Sequence, residues 1–243
     1  MNLDYTRYYL KWHKNTASHR EFVATHYRKL LGSYLPENPE ALIIDVGCGM
    51  GLALGFLKAS GFKNIEGVDT DPGQIKLACD AGLPGRLVQD TTKYLAGKKG
   101  TAECILCLDV LEHIPKAEQI YFLRGIYEAL KPKSRLLLTV PNANASIGMR
   151  WRYNDWTHST SFTEHSLDFV LFHAGFKKIK ICPAEFVRRP KWFFLPIGGG
   201  RHWWAFCFFR LLRRLEMMAE LGPEQGRQVP LSLNLLAVAD REG

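Results

Sequence analysis

Between residues 41 and 141 the hydrophobic positions alternate between two rhythms. Short runs such as Ile43-Ile44-Asp45-Val46 and Cys104-Ile105-Leu106-Cys107 are apolar with no polar face, the pattern of parallel strands covered on both sides. The segments Leu52–Ser60, Pro72–Ala81 and Pro115–Leu130 read as the intervening helices. Pro72 and Pro115 are placed in first turns, where a missing N–H costs nothing. Further strands are predicted at Glu66–Asp69, Arg86–Gln89 and Leu136–Val140. Repeated βα units of this kind build a doubly wound, mostly parallel α/β sheet with helices on both faces. Thr163 and Ser166 open a helix over Glu164–His173 whose Leu167, Val170 and Leu171 face inward, and Gly175 stops it. Strands at Lys178–Cys182 and Leu233–Ala239 follow.

Acidic residues recur where these strands end. Asp45 closes the first, Asp69 the second and Asp90 the third, while the fourth leads into Asp109. The carboxyl ends of strands are where open α/β sheets bind ligands, and an acid at the second strand suits a pair of ribose hydroxyls. Directly after Asp45 come Gly47, Gly49 and Gly51. Glycines at alternate positions permit a sharp strand-to-helix turn and let a ligand approach bare backbone, with free helix N–H groups aimed at the same spot. The spacing is not the G-x-G-x-x-G of nicotinamide dehydrogenases.

In order, Asp45-Val46-Gly47-Cys48-Gly49-Met50-Gly51, Gly67-Val68-Asp69, Gln89-Asp90, Leu108-Asp109-Val110-Leu111-Glu112-His113-Ile114-Pro115 and Leu130-Lys131-Pro132 followed by Leu136 to Asn142 resemble class I S-adenosylmethionine-dependent methyltransferases. The resemblance spans about residues 42–183 and the final strand. It implies a Rossmann-like seven-stranded sheet, mostly parallel with its last strand antiparallel. Residues 1–36 would be a helical lid, 37–184 with 229–243 the cofactor domain, and 185–228 an insertion between the last two strands. The turn at Gly47, Cys48, Gly49 and Gly51 would support the amino-acid end of the cofactor, and Asp45 would organise that turn or meet the ammonium. By the family pattern Asp69, beside Thr70, would hold the ribose and Asp90, beside Thr91, the adenine amino group. Leu108 would line the adenosyl or methionine portion, and Arg20 in the lid would meet the carboxylate.

Composition narrows the setting. In 243 residues, 47% hydrophobic and 23% charged describe an ordinary globular chain with an ample core. The six cysteines show no disulfide framework. Cys104 and Cys107 form a C-x-x-C on a strand, where alternation sends them to opposite faces and defeats a shared metal; buried thiols of a reducing cytoplasm are the expectation. The amino terminus lacks a signal-peptide pattern, and no apolar run approaches membrane-spanning length. Much of the net charge of +8 sits in the insertion, where Arg188, Arg189, Lys191, Arg210, Arg213 and Arg214 mingle with Trp and Phe. Trp204, Phe208, Leu211, Leu215 and Met218 form one helical stripe with the arginines mostly opposite. Such a helix fits a cap over the sheet, a homodimer contact, or the interface of an anionic membrane. The expectation is peripheral attachment at the inner membrane face of a cytoplasmic protein. No nucleic-acid module is present.

Methyl transfer to oxygen profits from a base. Candidates are His113, His158, His165 and Asp155. His158 with Asp155 three residues before it is favoured, because an acid at that distance can orient an imidazole. The same residues with a nearby acid would suit a divalent metal, although none is expected. The run Arg152 to His158, then Phe162-Thr163, Ser166-Leu167 and Ala174-Gly175-Phe176, looks like a bacterial branch associated with surface-polysaccharide synthesis. Trp151, Tyr153 and Trp156 would then be platforms for sugar rings. The expected acceptor is a small molecule or glycan, in particular a lipid-linked one. The alternatives are a quinone or other lipid precursor, and a membrane-docked binder of the cofactor without catalysis.

Overall fold

The computed structural model describes residues 4–185, 190 and 199–243. The insertion residues Arg188, Arg189 and Lys191 therefore lie outside the described residues. Strands β1 (Ile43–Val46), β2 (Ile65–Asp69), β3 (Gly85–Leu87), β4 (Ala102–Leu108), β5 (Leu130–Pro141), β6 (Lys178–Ala184) and β7 (Asn234–Asp240) form one sheet. Its order is β3-β2-β1-β4-β5-β7-β6. β7 runs antiparallel to both β5 and β6 while the other pairings are parallel, the seven-stranded α/β architecture that the motifs imply. The order reverses at β1 and β4, and the carboxyl ends there form the cleft in which such sheets bind ligands.

Helices α3 (Leu52–Ala59), α4 (Pro72–Asp80), α5 (Thr91–Ala96) and α6 (Gln119–Ala129) cross between the parallel strands. The two faces of the sheet carry separate hydrophobic clusters. Cys107 belongs to one with Phe122 and Leu138, and Cys104 to the other with Phe56 and Leu137. The C-x-x-C is thus split across the sheet as alternation requires, and both thiols are fully buried and free.

Several boundaries differ from the sequence reading. β3 is shorter and earlier than Arg86–Gln89, although Val88 N–H still bonds Asp69 O at 2.9 Å. Pro115 is not in a helical first turn: α6 starts at Gln119, after a turn closed by Glu118 N–H to Pro115 O at 2.8 Å. The Gln119 side chain explains the delay, since its Nε2 donates to Leu111 O and Ile114 O at 3.2 and 3.1 Å and holds the preceding short 3₁₀ turn, Leu111–His113, in place. Leu130 belongs to β5, which is longer than Leu136–Val140.

Before β1 come α1 (Tyr5–Tyr9) and α2 (Ala17–Leu31). After β5 comes a short helix α7 (Gly148–Asn154), and α8 (Glu164–Ala174) opens with the Thr163/Ser166 capping box. Leu167 and Leu171 are fully buried. The insertion contains α9 (Gly199–Leu221) and α10 (Pro223–Gln228). α9 is mounted with its apolar stripe outward. Trp204, Phe208, Leu211 and Leu215 are 50 to 57% exposed, while Arg210, Arg213 and Arg214 on the other side are half-buried. Arg214 donates to Gly226 O and Val229 O, and Arg210 and Arg213 pair with Glu185 and Glu216. Among the described residues, no helix is long and apolar enough to cross a membrane.

Candidate active site

The strand-to-helix turn after β1 has positive φ at Gly47, Gly49 and Gly51. Gly47 also leaves no room for a side chain, because a Cβ there would stand 2.4 Å from Val110 Cγ2. Above Gly49 the backbone is open, with Gln74 Oε1 and the Tyr9 hydroxyl the nearest atoms to a hypothetical Cβ, at 3.4 and 3.9 Å. Asp69 braces this turn, its Oδ2 accepting from Gly49 N–H at 2.9 Å and its Oδ1 from Asp71 N–H at 2.8 Å. Each oxygen keeps a second lone pair.

Asp45 lies beneath the turn, 2% exposed, and its Oδ2 is buried without a hydrogen bond. Burial first, then the neighbouring Asp69 carboxylate, pushes its carboxyl up to about 7. Both polar atoms of the buried Gln74 amide and Nη1 of Arg20 are likewise unpartnered. Arg20 is anchored by Nε and Nη2 on Asn15 Oδ1, and its charge reaches the Tyr9 hydroxyl, as do those of Asp109, Asp69 and Asp45. Buried polar atoms are nearly always satisfied, so unmet acceptors and donors around one open backbone turn describe a receptacle for a zwitterion. Asp45 would take an ammonium and Arg20 a carboxylate. The residues present therefore fit the amino-acid end of S-adenosylmethionine.

The other proposed cofactor residues are spread along the same edge. Cys48 is buried in the turn, and Leu108 is half-buried at the end of β4. Thr70 is exposed directly after Asp69. Asp90 caps α5, with Oδ1 accepting from Thr92 and Lys93 N–H at 2.8 and 3.1 Å, and Thr91 begins that helix. Asp109 sits at φ 55 beyond β4, its Oδ1 taking bonds from Thr139 Oγ1 and Asn234 Nδ2. A non-glycine residue held there is strained, and such strain gathers at functional sites.

The three residues named as catalytic converge from distant parts of the chain. His113 and His158 stand with ring centroids 4.6 Å apart at 74°. Asp155 Oδ2 is 3.9 Å from His158 Nε2. Their hydrogen bonds define the proton positions. His158 Nδ1 is 3.1 Å from Trp151 O, and a carbonyl only accepts, so Nδ1 carries the hydrogen and Nε2 the lone pair. Thr157 Oγ1 donates to Asp155 Oδ1 at 2.6 Å and therefore accepts from His113 Nδ1 at 2.7 Å, which leaves His113 Nε2 bare too. Burial, then His158, holds His113 down at about 4; burial also lowers His158 against the pull of Asp155. For Asp155 the Thr157 hydroxyl and N–H outweigh burial and keep it below the ordinary carboxylate range. His165 is excluded from this group: its side chain is 80% exposed on α8, beside Glu164.

Sequence reasoning did not single out Glu112, Gln74 or Tyr9. Glu112 is fully buried beside His113, with neither carboxylate oxygen hydrogen-bonded, and burial, then Asp109, raises it well above the usual range. Its only signal was adjacency to His113. The expected lid region supplies α1, whose individual contacts the sequence did not indicate. Thr6 Oγ1 donates to Asp71 Oδ1 at 2.8 Å on the cofactor side, and Tyr5 and Tyr8 hydroxyls donate to Asp155 Oδ2 and Asn154 O on the acceptor side, at 3.2 and 2.5 Å. One five-residue helix therefore bridges both halves of the cleft.

Comparison with known proteins bears on the family and the fold. A family model described as a methyltransferase domain matches residues 17–181, more than half of the chain. A ubiquinone biosynthesis O-methyltransferase of Xanthomonas oryzae is 30% identical over 107 residues, 42% of this chain and 44% of that protein. Human methyltransferase-like protein 27 is 40% identical over 80 residues, 32% of this chain and 33% of that protein. The chain thus spans less than half the length of these curated relatives. In fold it is similar to an S-adenosylmethionine-dependent methyltransferase from Archaeoglobus fulgidus, with TM-score 0.68, 20% identity and coverage of 98% and 100%. A phosphoethanolamine N-methyltransferase of Haemonchus contortus in complex with S-adenosylmethionine gives TM-score 0.58 at 14% identity, covering 98% of this chain and 60% of that one. With its glycine turn and acid-tipped strands, the chain belongs to the methyltransferase-domain family and has the fold of S-adenosylmethionine-dependent methyltransferases.

Proposed function

We propose that this chain O-methylates a sugar hydroxyl of a cell-surface polysaccharide or lipid-linked glycan. The observation that carries the reading is the surface beside the catalytic cluster. Trp156 is 92% exposed on the loop that delivers Asp155 and His158, and Tyr153 at the end of α7 is 70% exposed with the Arg152 guanidinium over its ring. A large aromatic face left bare next to a base, as Trp156 is, is costly unless a ligand stacks on it, and sugar rings present such a flat apolar face. Trp151 instead packs edge-on against Trp12 of the lid region.

The donor supplies a methyl on a sulfonium whose departure leaves a neutral thioether, so the protein's tasks are alignment and proton removal. Asp45, Gln74 and Arg20 hold the amino-acid end, and Asp69 and Asp90 stand at the nucleoside end. His158 Nε2 accepts the acceptor's proton as the oxygen attacks in line, and the resulting imidazolium is stabilised by Asp155. His113 holds Thr157 and through it the orientation of Asp155.

The outward stripe of α9 supports a substrate presented at a membrane surface, because exposed aromatic and aliphatic side chains suit the bilayer interface. Met149 on α7 and Phe209 and Leu212 on α9 line a shared groove, so this apolar surface extends toward the acceptor loop. A quinone or other lipid precursor is the second reading, favoured by the identity to ubiquinone O-methyltransferases. Turnover with labelled methyl donor against lipid-linked sugars and quinone precursors tests the choice. Label in the glycans is expected, and label only in a quinone precursor would reverse it.

A further inference from the structure

Glu112, His113 and His158 each offer one ligand atom within 4.8 Å of the others. From this cluster we infer a binding site for one divalent first-row transition-metal ion, whose role in catalysis rests on the O-methylation reading above.

Three observations point the same way. First, the donor set is two imidazoles and one carboxylate, the combination that zinc, manganese, cobalt and iron(II) accept, with positions left open for a substrate. Second, each imidazole is already prepared as a ligand. His158 gives its Nδ1 hydrogen to Trp151 O, and His113 gives its own to Thr157, which passes a bond on to Asp155. Metal-bound histidines are held in this way, one nitrogen on a carbonyl or carboxylate relay and the other bare. Third, both oxygens of Glu112 are fully buried without a hydrogen-bond partner. A carboxylate buried without partners is costly, and a cation removes that cost. Arg152 on the neighbouring helix donates to Ser159 O rather than to Glu112.

Such an ion changes the division of labour. With Glu112, His113 and His158 as ligands, the acceptor hydroxyl takes an open position and its proton becomes more acidic. His158 is then a ligand, and the proton passes to Asp155 Oδ2, which stands 3.9 Å from His158 Nε2. The oxygen forms its bond to the methyl carbon as the sulfur–carbon bond breaks and its electron pair returns to sulfur. Atoms and charges balance without any further reactant.

The test uses the full-length protein stripped with a chelator and titrated calorimetrically with Mn²⁺, Co²⁺ and Zn²⁺ in separate runs, with Co²⁺ absorption as a spectroscopic readout. One equivalent is expected to bind, with visible cobalt bands and a rise in unfolding temperature. Glu112→Gln and His158→Gln should each weaken binding at least about tenfold to a hundredfold, the range that even outer-shell changes reach. His165→Gln, on the exposed face of α8, should bind as the parent does. Circular dichroism confirms that each variant is folded, and two conservative variants guard against one failing to fold. Absence of binding by the parent, or equal binding by both site variants, overturns the proposal. Because titration needs no acceptor, a metal-binding protein that methylates no glycan would sink only the substrate reading. An active enzyme indifferent to chelation would sink only the metal and leave His158 as base.

Discussion

Replacing Asp45 by Asn should stabilise the cofactor-free protein at alkaline pH while damaging its function. The carboxyl rises from its ordinary 3.8 to about 7 in the folded chain, because the group is buried and its Oδ2 has no donor. A folded-state pKa above the unfolded value means that the native protein holds this proton more tightly. The associated stability is fully present below about pH 4 and is lost as pH rises through about 7. Roughly three units at 1.36 kcal/mol each bound the loss at about 4 kcal/mol. Asparagine cannot ionise and keeps nearly the same shape. The difference between variant and parent should therefore be near zero at pH 4 and grow to a few kcal/mol by pH 8, at ~2–4 °C of unfolding temperature per kcal/mol for a chain of this size.

The assay is chemical denaturation of both proteins without cofactor, at half-unit pH steps from 4 to 8. Comparing the pair cancels the other titrating groups. Binding of S-adenosylmethionine should show the opposite preference, because its ammonium favours ionised Asp45. Near pH 6 the parent should release up to one proton on binding, measurable by calorimetry in buffers of differing ionisation enthalpy. The variant should release none and bind about tenfold to a hundredfold more weakly, the usual worth of a hydrogen bond between charged partners. Parallel stability curves, or an Asn variant weaker than the parent at pH 8, would refute the account of Asp45 as a carboxylate kept unsatisfied for a ligand.

Other perturbations separate neighbouring claims. Gly47→Ala meets both a positive φ and Val110, whereas Gly61→Ala meets a positive φ and open space; denaturant melts should show about 1 kcal/mol lost at Gly61 and at least about 2 kcal/mol at Gly47. Thr157→Val cuts the relay from His113 to Asp155, so kcat should fall about tenfold to a hundredfold with little change in donor affinity; equal falls in both would disprove a role confined to the acceptor side. Phe208→Glu with Leu211→Glu on the outward stripe of α9 should abolish co-sedimentation with anionic vesicles yet leave the melting temperature within about 2 °C, since surface changes rarely exceed 0.5 kcal/mol each. A large drop in melting temperature would mean that the stripe is part of the core.

The sheet was legible because each parallel strand, buried on both sides, writes an unbroken apolar run. Ile43–Val46 and Cys104–Cys107 are examples, and even the opposite facing of Cys104 and Cys107 follows from alternation. The edge was not: β3 has one neighbour and its Arg86 and Leu87 are exposed, so little hydrophobic pattern marks its ends. The misplacement of Pro115 has a different cause. The side chain of Gln119 holds carbonyls five and eight residues before it, a side-chain contact that no propensity scale contains. At the site, Asp155 and His158 were readable from their spacing, and His113 from its motif. That all three meet, with Glu112 beside the two histidines, depends on the fold bringing the loop after β5 against the turn after β4.

Stability has been given up around the cleft. Gln74 and Arg20 carry unpartnered buried atoms on the donor side with Asp45, and Glu112 does so on the acceptor side. None of these defects is forced by the topology, since an apolar residue would serve the packing at each position. Asp45 near the end of β1, Glu112 in the turn after β4, Gln74 on α4 and Arg20 on α2 are what a ligand site calls for, because a site that must desolvate and orient charges cannot also satisfy them internally. α1 draws the two groups into one unit, since Thr6 touches Asp71 and Tyr5 touches Asp155. Filling the donor side and filling the acceptor side should therefore each steady the same short helix, and through it each other.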